Sequence, residues 1–168
     1  MNYADPADNT KARKLFSDLA VAKDQAFCKK HLGRYPVIAL SLKGIDGAGF
    51  QDALEMFLSK IFNLYRKFDF LLASSRLSHE EKEAFRYIYN FSNIQYRDWN
   101  DQTLFTRAVS VIKSSLFNLT AFLFSEFGLR SVVLVDEYDV PLQKACAGGY
   151  YEKMLDAVRG MFEQYLIR

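Results

Sequence analysis

The chain has 168 residues, half of them apolar and a quarter charged, which is too apolar for disorder as the main state and too short for two ordinary domains. Its 22 Lys and Arg against 20 Asp and Glu leave a net charge of +2, too weak a field to recruit nucleic acid without sequence preference. Three prolines and eight glycines are too few to punctuate an all-β domain, so a helix-rich fold over residues 1–168 is expected.

The first ten residues are polar and read as loose. A helix is expected from Asp24 to Leu32, with Asp24 as N-cap, Phe27 and Leu32 on the inner face and Gly33 at the stop. Pro36 then forces an extended chain, and Val37 to Leu42 is a short apolar run that suits a buried strand. From Phe50, apolar residues recur in steps of three and four through Leu54, Phe57, Ile61, Leu64, Phe68 and Leu72, which predicts a long helix. Ser78 and Glu81 have capping-box spacing and open a second helix carrying Phe85, Ile88 and Tyr89. After a polar stretch from Asn93 to Asn100, Leu104, Val111, Leu116, Leu119, Leu123 and Phe127 trace a third helical stripe that ends at Gly128. Val132 to Val135 is apolar without alternation and predicts a parallel strand covered on both faces. Beyond Gly148-Gly149, Met154, Val158, Met161, Tyr165 and Leu166 predict a final helix.

The strand Val132–Val135 leads directly into Asp136 and Glu137. In open α/β sheets ligands gather at the carboxyl ends of strands, and an apolar strand ending in Asp-Glu is the Walker B pattern. There the Asp helps hold Mg²⁺ on nucleotide phosphates and the Glu orients the attacking water. Adjacent acids suit that division because successive strand residues point to opposite sides. The same pair also fits a solvated turn, or, joined by Asp139, a nucleotide-free Mg²⁺ site of the nuclease kind. His31 and His79 are too few and too distant for a metal site or a triad and read as solvated or capping residues. Cys28 and Cys146 form no C-x-x-C pair and read as reduced, packed thiols. Lys29-Lys30 and Arg66-Lys67 read as solvated faces, and the aromatics mostly as core.

The run Val132-Val-Leu-Val-Asp-Glu-Tyr-Asp-Val-Pro-Leu142, with Gly149-Tyr-Tyr-Glu-Lys-Met154 and Arg159-Gly-Met-Phe162, resembles the bacterial AAA-ATPase-like family. Leu15-Phe16, Ala22-Lys-Asp24, Phe27 to Gly33 and Tyr35-Pro-Val-Ile38 are similar to the segment between that family's Walker A helix and its second strand. The resemblance implies a helix-rich three-layer α/β core of the P-loop NTPase kind, with Val37–Leu42 beside Val132–Val135. It also implies Mg²⁺ and ATP as cofactors, Asp136 as the magnesium-associated acid and Glu137 as the water-activating one. Arg159 is a candidate arginine finger on this basis, and otherwise a surface arginine.

No G-x-x-x-x-G-K-[ST] motif occurs in the sequence, and Lys113-Ser114 lacks the preceding glycines. The resemblance is therefore to an internal, partial AAA-ATPase-like domain without Walker A or sensor strand. Loop amides and the loop lysine make most phosphate contacts in such sites, so this chain alone is expected to bind MgATP poorly and not to turn it over. The alternative is a non-catalytic protein-interaction module derived from the fold. An unpaired strand edge points to self-association or to a complementary ATPase segment as partner. No leader is recognisable at Met1 and no apolar run approaches the roughly 20 residues of a membrane span, so a cytoplasmic, membrane-free protein without a nucleic-acid partner is expected. The reading requires Val132–Val135 to be extended and the two acids to border a hollow.

Overall fold

The structure, a computed structural model, describes residues 10–93, 99 and 101–166, the side chains at 11, 12 and 164–166 excepted. The expected loose opening and most of the polar stretch Asn93–Asn100 lie outside the described residues, as do the side chains of Tyr165 and Leu166. The elements run α1 (Thr10–Phe16), a 3₁₀ turn (Ala20–Lys23), α2 (Gln25–His31), β1 (Val37–Ser41), α3 (Phe50–Tyr65), a 3₁₀ segment (Arg66–Ala73), α4 (His79–Ser92), α5 (Gln102–Phe127), β2 (Val132–Asp136), α6 (Val140–Ala147) and α7 (Tyr151–Leu166).

Local chemistry sets most of these boundaries. The Asp24 carboxylate accepts the Phe27 N–H at 2.9 Å and starts α2. Both halves of the capping box at α4 form, Ser78 Oγ accepting the Glu81 N–H at 3.2 Å and Glu81 accepting the Ser78 N–H at 2.8 Å. Asp101 accepts the first amides of α5, and Gly128 closes that helix in the left-handed conformation at φ 66°, where a Cβ would be strained. The long stripe from Phe50 is not one α-helix: it tightens after Tyr65 into the 3₁₀ segment, which breaks at Phe68 (φ −119°, ψ 18°) while still burying Phe68 and Leu71. Apolar spacing therefore kept its face but not its helix type, since side-chain burial does not specify the backbone turn.

The sheet has two parallel strands, with Val37 opposite Val132 and Ser41 opposite Asp136. The ladder continues at each end: Val132 N–H donates to the Pro36 carbonyl at 2.9 Å, and Leu42 N–H to the Asp136 carbonyl at 3.0 Å. Parallel strands require a crossover, and here α3, α4 and α5 supply it. The buried core joins Ile38 and Leu40 of β1 to Leu54, Phe57 and Ile61 of α3, Phe85 of α4, Ile112, Leu116 and Leu119 of α5, and Met154 and Met161 of α7. Each such side chain contributes about 1.5–3 kcal/mol by leaving water. Tyr65, fully buried, meets its one polar need by donating to the Ser115 carbonyl on α5 at 2.7 Å, as a buried hydroxyl requires.

Three expectations are corrected. β2 is covered on one face only: burial alternates along it, leaving Val132 40% and Leu134 51% exposed while Val133 and Val135 pack on the core. An unbroken apolar run cannot report that one face of this strand stays open. Phe27 is 50% exposed, because the 3₁₀ turn and α2 bury no side chain. Cys28 and Cys146 are free, but Cys146 is exposed and Cys28 only half-buried, so neither is a packed thiol. In addition, α5 has 26 residues with a mean hydropathy of 1.4 over its most apolar stretch, long and apolar enough to cross a membrane by those measures. Its apolar face, from Ala108 to Leu123, is instead part of the core against α3, α4 and α7.

Candidate functional site

The carboxyl ends of β1 and β2 lie side by side, and each runs into a tight loop. Asp136 ends β2 on the strand's exposed face, in line with Val132 and Leu134. Among the described residues its carboxylate has no hydrogen-bond or ion-pair partner, so it is free to take a cation or a metal-bound water. Glu137 follows in a left-handed backbone conformation, φ 52°, the one non-glycine among the described residues with a positive φ. That twist swings its carboxylate toward the other strand, where Lys43 Nζ lies 3.5 Å away. The Glu137 carbonyl then accepts the Val140 N–H at 3.2 Å, and Pro141 in the first turn fixes the start of α6. Asp139 accepts from Gln143 at 2.7 Å.

The loop opposite, Leu42 to Gly49, carries Gly44, Gly47 and Gly49 directly after a strand and before α3. Asp46 organises it, accepting the Gly47 N–H at 2.8 Å and pairing with Lys144 of α6 at 3.1 Å. Both interactions, the amide first, hold the Asp46 carboxyl below its ordinary value. Tyr150 donates to the Gly47 carbonyl at 3.3 Å, and burial, helped by Asp46 and Asp52, pushes its phenol up. Gly47 has no room for a side chain, since a Cβ would stand 2.6 Å from that of Asp52 and 2.8 Å from the Ala53 nitrogen. Beside it lies an open cavity of about 580 Å³ lined by Asp46, Gly47, Ala48, Asp52, Glu55 and Met56. The carboxylates of Asp52 and Glu55, and of Asp46 where Lys144 does not neutralise it, make this cavity acidic.

Asp136 and Glu137 thus stand together at the strand ends, but the hollow expected beside them is not met by the cavities of about 580, 560 and 460 Å³, none of which they line. Asp139 faces Gln143 rather than completing a cluster, and among the described residues no group of three or more His, Cys, Asp or Glu is placed to hold a metal. Lys113 is engaged elsewhere, paired with Asp156 of α7 at 2.8 Å. Arg159 lies on the exposed side of α7. His31 bonds the Tyr35 hydroxyl at 2.9 Å through Nδ1. Sequence reasoning missed Lys43, Asp46 and Lys144; the available signal was the glycine-spaced loop following a strand.

These features define an α/β protein whose paired acids stand at the carboxyl edge of a parallel sheet. The sequence model of one family, AAA-ATPase_like, described as a predicted AAA-ATPase, matches residues 2–167, and the chain belongs to that family. No curated protein and no solved structure matches the chain significantly.

Proposed function

We propose that the chain supplies the hydrolytic acids of an AAA-type ATPase core, with Asp136 on the Mg²⁺ side and Glu137 on the water side. The observation that carries this reading is the parallel register that sets Ser41 opposite Asp136, so both strands present their carboxyl ends to one place. Family membership over residues 2–167 supports nucleotide and Mg²⁺ as the ligands. Mg²⁺ keeps most of its waters and needs only one or two carboxylates besides phosphate oxygens, so the unpartnered Asp136 fits it. When bound, MgATP would supply the electrophilic phosphorus and the charge neutralisation of phosphoryl transfer. Glu137 must then exchange Lys43 for a water, which the exposed setting of that ion pair permits.

The triphosphate grip has to come from a Gly-Lys-Ser/Thr loop that these 168 residues lack, and the chain by itself would neither hold MgATP tightly nor hydrolyse it. The remaining edge of β2 would accept a further strand of a P-loop-type sheet, from a second copy or a complementary ATPase segment. A direct test is nuclear magnetic resonance with Mn²⁺ as a relaxing stand-in for Mg²⁺ at millimolar ATP. Broadening should centre on the amides of Asp136 and Glu137, depend on ATP, and vanish in Asp136→Asn. Broadening centred on Asp46, Asp52 and Glu55 would assign the cation to the neighbouring acidic cavity and overturn the reading, and micromolar MgATP affinity in calorimetry would refute the need for an external cradle.

A further inference from the structure

The segment from α1 to Arg34 differs in character from the rest of the molecule. Leu15 is 76% exposed, Leu19 52% and Phe27 50%, far more open than the core helices. Of the 22 basic and 20 acidic residues in the chain, seven and two respectively fall between Thr10 and Tyr35. Both acids are already engaged: Asp24 caps α2, and Asp18 accepts the Ser17 hydroxyl at 3.2 Å. The positive charge is therefore not balanced locally.

Within this segment lies a groove of about 560 Å³ whose lining includes half-buried Ala22 and Leu32, exposed Phe16, and the cations Arg13, Lys29 and Arg34. Arg34 is steadied by donating from Nε to the Lys29 carbonyl at 3.4 Å. An apolar concavity with a basic border selects an occupant that is apolar at its centre and anionic around it.

We infer that this groove docks an acidic peptide segment of a partner protein, with a Leu or Phe side chain seated between Phe16, Ala22 and Leu32 and flanking carboxylates against Arg13, Lys29 and Arg34. Concavity favours a peptide over a bilayer, because amphipathic surfaces that lie on membranes present an apolar face outward and leave no hollow to fill. A lining with one aromatic ring, Phe16, favours a peptide over nucleic acid, whose bases stack on several aromatic platforms along an extended basic track. The groove is separate from the strand-end acids, so the inference stands independently of the nucleotide reading.

The probe is a library of short random-sequence peptides displayed on phage and selected on the folded chain. Enriched peptides should carry Leu or Phe flanked by Asp and Glu, bind more weakly as salt rises, and lose at least about tenfold in affinity to an Arg13→Glu, Lys29→Glu, Arg34→Glu variant. Because all three residues are exposed, the variant should keep the parent circular dichroism spectrum; should it not, Lys29→Glu alone serves, with a several-fold loss expected. A selection without acidic bias, or a consensus that binds the variant equally well, overturns the proposal. So does displacement of the selected peptide by phosphatidylserine vesicles or single-stranded DNA at lower concentration than by the free acidic peptide, which would assign the groove to a membrane or to nucleic acid.

Discussion

Glu137 sits where a side chain is penalised by about 1–2 kcal/mol for its left-handed backbone, and its ion pair with Lys43 is too exposed, at 75% for the lysine, to offset more than about 1 kcal/mol of that. Glycine at this position would remove the steric cost while losing about 0.5–1 kcal/mol to chain entropy. Glu137→Gly should therefore leave the urea unfolding midpoint almost unchanged, whereas Glu137→Val, which keeps the backbone penalty and adds a branched Cβ, should lower it. A fall of equal size in both variants would show that the Lys43 contact matters more than the backbone. Asp46 offers a second test at the same scale. Its carboxyl is held below its ordinary value, first by the Gly47 amide and then by Lys144. A group whose folded value is depressed favours folding above its unfolded value, and that contribution is lost as pH falls through the folded one. Lys144→Ala should thus move the Asp46 side-chain titration, followed by carbon-13 resonance, upward toward the ordinary carboxylate value; no movement would contradict the pairing. The acids at the end of β2 were legible as a pair in sequence, but the pairing of Glu137 with Lys43 and of Asp46 with Lys144 was not, because each forms only once distant segments converge.

At the scale of elements, the packing of α5 on α7 turns on one small residue. A Cβ at Gly160 would lie 2.6 Å from the Lys113 side-chain carbons, so the helix leaves a channel through which that lysine runs to Asp156 at 2.8 Å. Gly160→Ala gains about 1 kcal/mol of helix propensity, and the obstructing atoms belong to a flexible side chain that can move aside at the cost of a partly exposed ion pair worth about 0–1 kcal/mol. The two nearly cancel, and a thermal midpoint within a few degrees of the parent is expected, with loss of the Lys113–Asp156 contact visible as increased mobility of the lysine Nζ signal. A collapse of stability would mean that the backbones of α5 and α7 are also forced apart. Elements marked by strong periodicity or by a cap, such as α3, α4 and α5, could be read directly from the sequence. Besides the 3₁₀ turn Ala20–Lys23, two α-helices were invisible: α1 is short with no apolar period, and α6 begins at a Val-Pro pair and buries only Pro141 and Ala145. Such helices are held by their surroundings, and a local pattern has nothing to report.

For the whole molecule, the asymmetry of the sheet matters most. One face of β2 is left open at Val132 and Leu134, while the β1 residues on that side are half-buried. An apolar sheet face of this kind binds hydrophobic dyes and promotes association, so Val132→Thr with Leu134→Thr should reduce anilinonaphthalene sulfonate fluorescence several-fold and shift any oligomer toward monomer in light scattering, without lowering the thermal midpoint by more than a few degrees. An unchanged dye signal would show that this face is already covered. That β2 is extended and parallel to β1 was legible from its β-branched run and its following acids. How many layers cover it was not, since coverage is decided by helices far away in the sequence.

The pairing of Val37 with Val132 also governs the order of events during folding. Closing so long a loop costs chain entropy that the ten residues of two short strands do not recover by themselves. The helical hairpins between them must collapse beforehand and bring the strands within reach. In a pulse-labelling experiment the amides of Leu116 and Leu119 should become protected from exchange early, and those of Leu134 and Asp136, which point toward β1, late. The strand-end carboxylates would therefore be assembled by the last step of folding, and they would be the first feature to dissolve when the molecule opens.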